Sequence, residues 1–296
     1  MAKDNLSRKT ANLADLPATG HLLLLSDQQR DNIKLSGVNI STSSFIRLGM
    51  KEAEINDCSF TQSNFEDSYF RKAAFKNVRF TGSSFRFCNF DKTSFQSCDF
   101  RYCTFYHCKL PKDEIKACLP SEANLRRDLA RNLRANYEMI GDKKAADTFL
   151  DIEIQANEAE LKAIFLSTTE YYKKHYNLLE QIKAGLKFVG SKLSGMLWGY
   201  GHRVVRLFLS YFSITSLLSL TSYFSNITFT IQNENLQRPL TVWESLYMGF
   251  GQTLGLSGLT FLPVNLWGKV IMISASFSGT LFLALLAATL YRRIAR

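Results

Sequence analysis

The chain has 296 residues, with 36 Lys and Arg against 26 Asp and Glu, a net charge of +10 and 46% hydrophobic residues. That average hides two unlike parts: Leu207 to Arg296 holds five basic and two acidic residues, whereas Met1 to Arg206 holds 31 and 24. A polar body joined to an apolar tail excludes a simple soluble enzyme, a disulfide scaffold and a disordered chain.

Met1 to Asp15 has no apolar stretch of the kind a secretory signal carries, so none is expected, and residues 1–30 are assigned to a cap or a loose tail. From Asp31 to Leu110 the sequence repeats with a period of five. Every fifth residue from Leu35 through Phe65, Phe85 and Phe105 to Leu110 is apolar, in 16 of 16 places, and 11 of them are Phe. Two positions before each lies a second uncharged residue, and 14 of those 16 are Ala, Cys, Ser, Thr or Val. A period of five fits neither a helix nor a flat strand. It fits a square coil with one large and one small residue per side pointing inward. These 80 residues resemble the pentapeptide-repeat family, which implies a right-handed quadrilateral β-helix. Four coils, at roughly 4.8 Å each, make a stack about 19 Å tall, with phenylalanine ladders such as Phe65, Phe85 and Phe105.

Five of the six cysteines (Cys58, Cys88, Cys98, Cys103, Cys108) occupy the small inward phase, and there is no CxxC pair. They read as free, buried, small hydrophobes suited to a reducing cytoplasm, with no metal. Some family members are thought to mimic DNA with an acidic surface. Here the repeats carry 11 basic and eight acidic residues, which argues against that role, and no basic face singles out a nucleic acid. A neutral interaction module with a cytoplasmic ligand or protein as partner is expected.

Residues 111–202 form the next region. Pro111 and Pro120 bracket a break, and Ser121 to Glu138 reads as a helix with Leu125, Leu129 and Leu133 on one face. Gly141 ends it, and Asp142 caps a second helix running to Phe165. The pair resembles the helices that often follow pentapeptide repeats, and a hairpin covering the open end of the coil is expected. Leu178 to Tyr200 alternates apolar residues with Lys183, Lys187 and Lys192 and reads as an amphipathic helix at a membrane surface.

Residues 203–296 read as a two-transmembrane-helix pore domain. Leu207 to Phe229 is 23 residues without a charge, nine of them Ser or Thr, and Val270 to Leu290 is a second uncharged run. Either is long enough to cross a core of roughly 30 Å. Basic residues flank the outer sides of the pair, so both termini are expected in the cytoplasm of a multi-pass inner (plasma) membrane protein. Between the spans, Thr241 and Glu244 form a capping box that starts a helix from Val242 to about Thr253. At about 18 Å that helix is too short to cross. Glycines follow it, and a half-helix leading into glycine-rich backbone between two spans is a re-entrant loop.

The order span, half-helix, glycine loop, span resembles the two-span potassium-channel-like family over Val204 to Arg296. WESLYMGFGQTLGLSG is similar to its pore signature. Thr253, Leu254 and Gly255 match Thr-Val-Gly, whereas Leu256, Ser257 and Gly258 depart from Tyr-Gly-Asp. The resemblance implies a homotetramer whose selectivity filter is Thr253 to Gly258 and whose inner helix bends at Gly279. It also implies a permeant monovalent cation, although the departures argue against transferring potassium selectivity. Two alternatives stay open: a membrane-anchored repeat scaffold without conduction, and a depolarising pore triggered by a partner. An enzyme is not expected. The four histidines are scattered, there is no HExxH motif or P-loop, and Gly249 to Gly255 only approaches a dinucleotide fingerprint, so no cofactor is implied.

Overall fold

The computed structural model describes residues 9–201, 204–231, 236–253 and 261–294. It divides into two compact units, Met1–Gln181 and Ile182–Arg296.

In the first unit the five-residue period closes into a β-solenoid of about four turns. Each corner is turned by a residue with left-handed backbone two positions after the large apolar one, with φ of 51° at Asp57, 49° at Asp67 and 55° at Asn77. Successive coils pair in parallel, with Phe45 opposite Phe65, Phe65 opposite Phe85 and Phe85 opposite Phe105. Their rings stack 4.5, 4.9 and 5.0 Å apart within 9° of parallel. From Val38 to Leu110 every residue of both inward phases is buried.

The small phase has a second task. Tight corners turn peptide groups inward, where each needs a partner. Ser83 Oγ accepts from the Ser63 amide at 3.0 Å and donates to the Phe60 carbonyl at 2.6 Å. Cys103 and Cys108 thiols donate to the Phe80 and Phe85 carbonyls at 2.9 and 3.3 Å. Ser, Thr and Cys are therefore both small enough for the phase and able to satisfy the turn.

The solenoid begins earlier than the repeat pattern. Residues 19–29, expected in a cap or tail, form part of a coil: Thr19–His21 pairs with Asn39–Ser41, and Leu23–Gln29 pairs with Ser44–Gly49. The phase is broken at Gly20 and Arg30, which hides Leu23 and Leu25 in their inward places. A Cβ at Gly20 would press on the end of the Leu23 side chain, so glycine leaves that leucine its place. The cap proper is shorter. Leu13 is buried at this end, and Gln28 holds the strap by accepting from the Leu13 amide and donating to the Ala11 carbonyl.

At the other end α1 (Lys112–Ala117) and α2 (Ala123–Met139) cover the last coil, and α3 (Lys143–Phe165) packs against α2. Asp142 caps α3 through the Ala145 amide, as its position predicts. Side chains replace the missing next strand. Asn136 accepts from the Cys108 amide at 2.7 Å and donates to its carbonyl at 2.8 Å. Asn132 accepts from the Phe105 amide, and Glu114 from the Phe95 amide. The open sheet edge is thereby paired rather than exposed. A short helix, α4 (Glu170–His175), follows α3 and has no counterpart in the sequence expectation.

The chain then enters α5 (Leu178–Trp198), turns through Gly199–Gly201 and continues as α6 (Val204–Phe224), α7 (Val242–Thr253) and α8 (Leu266–Ile294). Both α6 and α8 are long and apolar enough to cross a membrane. The uncharged run misjudged their ends. Asn226 takes a left-handed backbone at φ 46°, and Thr228–Ile231, rich in β-branched residues, is a strand rather than the end of the span. Conversely, α8 starts before Val270 and carries Lys269 in its first turn, where a long side chain can reach out to water.

Candidate functional site

The second unit is organised around a small sheet not foreseen from the sequence. Thr228–Ile231 lies in its centre, antiparallel to Leu236–Pro239 on one side and to Phe261–Pro263 on the other. The consequence is geometric. Leu240 leaves one edge strand at the Thr228 end of the central strand and Phe261 enters the other at its Ile231 end, so both ends of the segment containing α7 are tied to the same three-stranded sheet. Phe229 and Met248, both fully buried, pack the sheet and α7 into one core with Phe261 and Leu240.

The capping box holds as drawn from the sequence. Glu244 accepts from the Thr241 amide at 2.8 Å, and the Glu244 amide donates to Thr241 Oγ1 at 3.4 Å. The same carboxylate also takes both guanidinium nitrogens of Arg238, at 2.7 and 2.8 Å. Its charge is therefore neutralised locally, and Glu244 is no free acid for concentrating cations.

α7 meets α6 through small residues. Tyr211, Thr215, Ser219 and Ser222 lie along the buried face of α6, and Ser245, Gly249 and Gln252 lie along α7. A Cβ on Gly249 would overlap the Ser219 hydroxyl, so glycine is what allows the helices this close. Three Ser and Thr residues of the first span, Thr215, Ser219 and Ser222, thus belong to a helix–helix seam. Ser219 Oγ donates to the Thr215 carbonyl at 2.8 Å. Among the described residues, Thr215 Oγ1, Ser222 Oγ, Ser245 Oγ and Gln252 Nε2 are buried without a hydrogen-bond partner. α6 also meets α8 directly, where Tyr211 stacks on Phe282 at 4.2 Å.

Thr253 is the last residue of α7, at the end predicted. The other expected filter positions, Leu254, Gly255, Leu256, Ser257 and Gly258, lie outside the described residues, as does Glu234. Gly279 is buried within α8, whose helix continues unbroken through it.

The solenoid presents a second candidate surface that the sequence reading missed. Phe87, Tyr102 and Tyr106 are exposed, and the Phe87 ring lies 5.5 Å from Tyr106 and 5.7 Å from His107. Phe87, Tyr102 and His107 occupy left-handed corners at φ 53°, 60° and 54°, a backbone that bulky side chains adopt at a cost. The signal was available in the corner phase, where Asp, Asn and Lys give way to aromatics.

The cysteines are free thiols, and Cys118 extends the inward ladder past the repeats by donating to the Phe95 carbonyl at 3.5 Å. Burial pushes Cys103 up to about 12. The neighbouring Cys98 thiol lowers the Cys118 thiol against the effect of its own burial. Among the described residues no group of His, Cys, Asp and Glu is placed to hold a metal.

Residues 48–125 match the family described as the pentapeptide repeat region. Among solved structures, a trypsin-treated QnrB1, a plasmid-mediated fluoroquinolone resistance protein, is similar at 19% identity over 31% of this chain and 56% of that one, with a TM-score of 0.16. A second trypsin-treated QnrB1 structure is similar at 14% identity, covering 30% and 59%, with a TM-score of 0.21. The chain thus spans little more than half the length of these proteins. Comparison with curated proteins finds no match.

Proposed function

We propose that the chain is a pore-forming subunit, a cation channel built on α6, α7 and α8 and carrying a cytoplasmic pentapeptide-repeat module that gates or assembles it. The observation that carries this reading is the sheet pinning both ends of residues 240–260. With α6 and α8 as spans, a segment that opens with a 12-residue capped helix too short to cross, and is tied to one sheet at both ends, enters the bilayer and returns. A segment at that depth requires a protein or water-filled cavity around it. A homotetramer about the Thr253 to Gly258 segments supplies one, with backbone carbonyls replacing ion hydration and the negative ends of four α7 helices favouring cations. The buried amide nitrogen of Gln252, without a partner among the described residues, agrees with a polar cavity near the end of α7. The repeat module offers its exposed aromatic corner to a protein partner. The reaction chemistry of an enzyme has no place in this scheme, nor does a cofactor.

The test has two steps. The native mass of the full chain in detergent is expected to be that of four copies, and vesicles holding it are expected to pass monovalent cations. Gly255→Trp is expected to abolish that flux while leaving the mass unchanged. A monomer, or flux indifferent to Gly255→Trp, contradicts the filter. The pairing of Glu244 with Arg238 weakens cation attraction and favours a second reading, a membrane-tethered scaffold in which α6 and α8 only anchor the repeats. A folded monomer without flux is that reading's result.

A further inference from the structure

We infer that α5 is a docking helix for anionic phospholipid, lying along the bilayer surface next to the first span. This rests on reading α6 and α8 as membrane spans. Leu179, Ile182, Leu186, Val189, Leu193 and Met196 are all exposed, at spacings of three and four residues, so they form one continuous apolar stripe. The opposite face, through Ala184 and Gly195, is buried. Lys183 and Lys187 border the stripe on one side and Lys192 on the other. No acidic residue occurs between Lys183 and Arg206. An apolar stripe edged by lysines is the pattern that sinks into the acyl boundary while the ammonium groups reach headgroup phosphates.

The fold sets the depth. Tyr200 turns the chain with φ 56°, and its ring folds over Gly195, where a Cβ would strike it. Arg206 Nη1 donates to the Gly195 carbonyl at 2.8 Å, and Ser210 Oγ donates to the Leu197 carbonyl at 2.5 Å. These bonds hold the last turn of α5 against the first two turns of α6, roughly 9 Å of helix. If α6 crosses the membrane, this end of α5 lies at the boundary. The three-and-four spacing would also suit a seam with a second copy of α5. Such a seam would gather three lysines from each copy against a single acid, Glu180, whereas an anionic surface neutralises them.

Spin labels test this in the full chain reconstituted in phosphatidylcholine vesicles with and without phosphatidylglycerol. Leu186→Cys, and Leu217→Cys on the exposed face of α6, are each made in a Cys118→Ser background, the other five cysteines being buried. Both labels are expected to collide with oxygen rather than with a water-soluble nickel chelate when phosphatidylglycerol is present. Replacing Lys183, Lys187 and Lys192 by Gln is expected to reduce the immersed population at position 186 by about fivefold per lysine, from roughly 1 kcal/mol each. A label at 186 open to water while that at 217 is immersed overturns the inference alone. Dipolar broadening between labels at 186 does so in favour of a seam between copies. Immersion indifferent to phosphatidylglycerol and to the lysines overturns the anionic assignment. Water access at both positions removes the membrane reading and this inference together.

Discussion

The solenoid and the helical unit treat their buried polar side chains in opposite ways. In the solenoid most inward hydroxyls and thiols have an assigned carbonyl or amide one coil away, because the 20-residue stacking repeats the environment. In the seam between α6 and α7 the hydroxyls of Thr215, Ser222 and Ser245 have no partner, and their value lies in being small. A residue in the first region is fixed by its phase, whereas one in the second is fixed by how close two helices must come. Substitutions should therefore separate the two regions sharply.

The largest effect is expected in the ladder. Phe85→Ala removes a fully buried ring stacked on Phe65 and Phe105 and should cost about 3–5 kcal/mol, read as a lowered midpoint of the β transition in denaturant. A cost near zero would mean that the coils do not depend on their stacked rings. Next comes the cap. Asn136→Ala strands the amide and carbonyl of Cys108 and should cost about 2–4 kcal/mol in the same transition. In the helical unit, Gly249→Ala should cost about 1–3 kcal/mol by forcing α7 off Ser219, read as a lower Tm in detergent with the β transition unmoved. The smallest effect is the sharpest test of the contrast. Thr215→Val replaces an unpartnered hydroxyl by a methyl of similar shape and should be neutral to slightly stabilising. A loss of more than about 1 kcal/mol would show that this hydroxyl has a partner after all, and the distinction between the two regions would fail.

What could be read from the sequence follows the same division. The period of five makes inward residues recognisable one by one, so the ladders, the buried cysteines and the coil stack were legible from Leu35 to Leu110. The first coil was not, because Gly20 and Arg30 interrupt the phase where Gly20 makes room for Leu23. The role of Asn136 was hidden for another reason: a side chain mimicking a strand edge leaves no periodic trace. In the second unit the capping box at Thr241 and Glu244 exposed α7, since two local hydrogen bonds specify it. The sheet escaped notice because its three strands, of four, four and three residues, are too short to show alternation and lie far apart in the chain. Arg238 escaped with it, as its pairing with Glu244 depends on the turn that sheet creates.

The most direct measurement addresses the return of residues 240–260 to their starting side. Trp243→Cys and Leu262→Cys, at the start of α7 and in the returning strand, both carry exposed side chains in the native protein. In a Cys118→Ser background they can be challenged with a membrane-impermeant thiol reagent from one face of sealed vesicles at a time. Labelling of both positions from the same face, opposite to that on which the repeat module is digested by protease, is the expected result. Labelling from opposite faces would make α7 part of a crossing segment and would contradict the account.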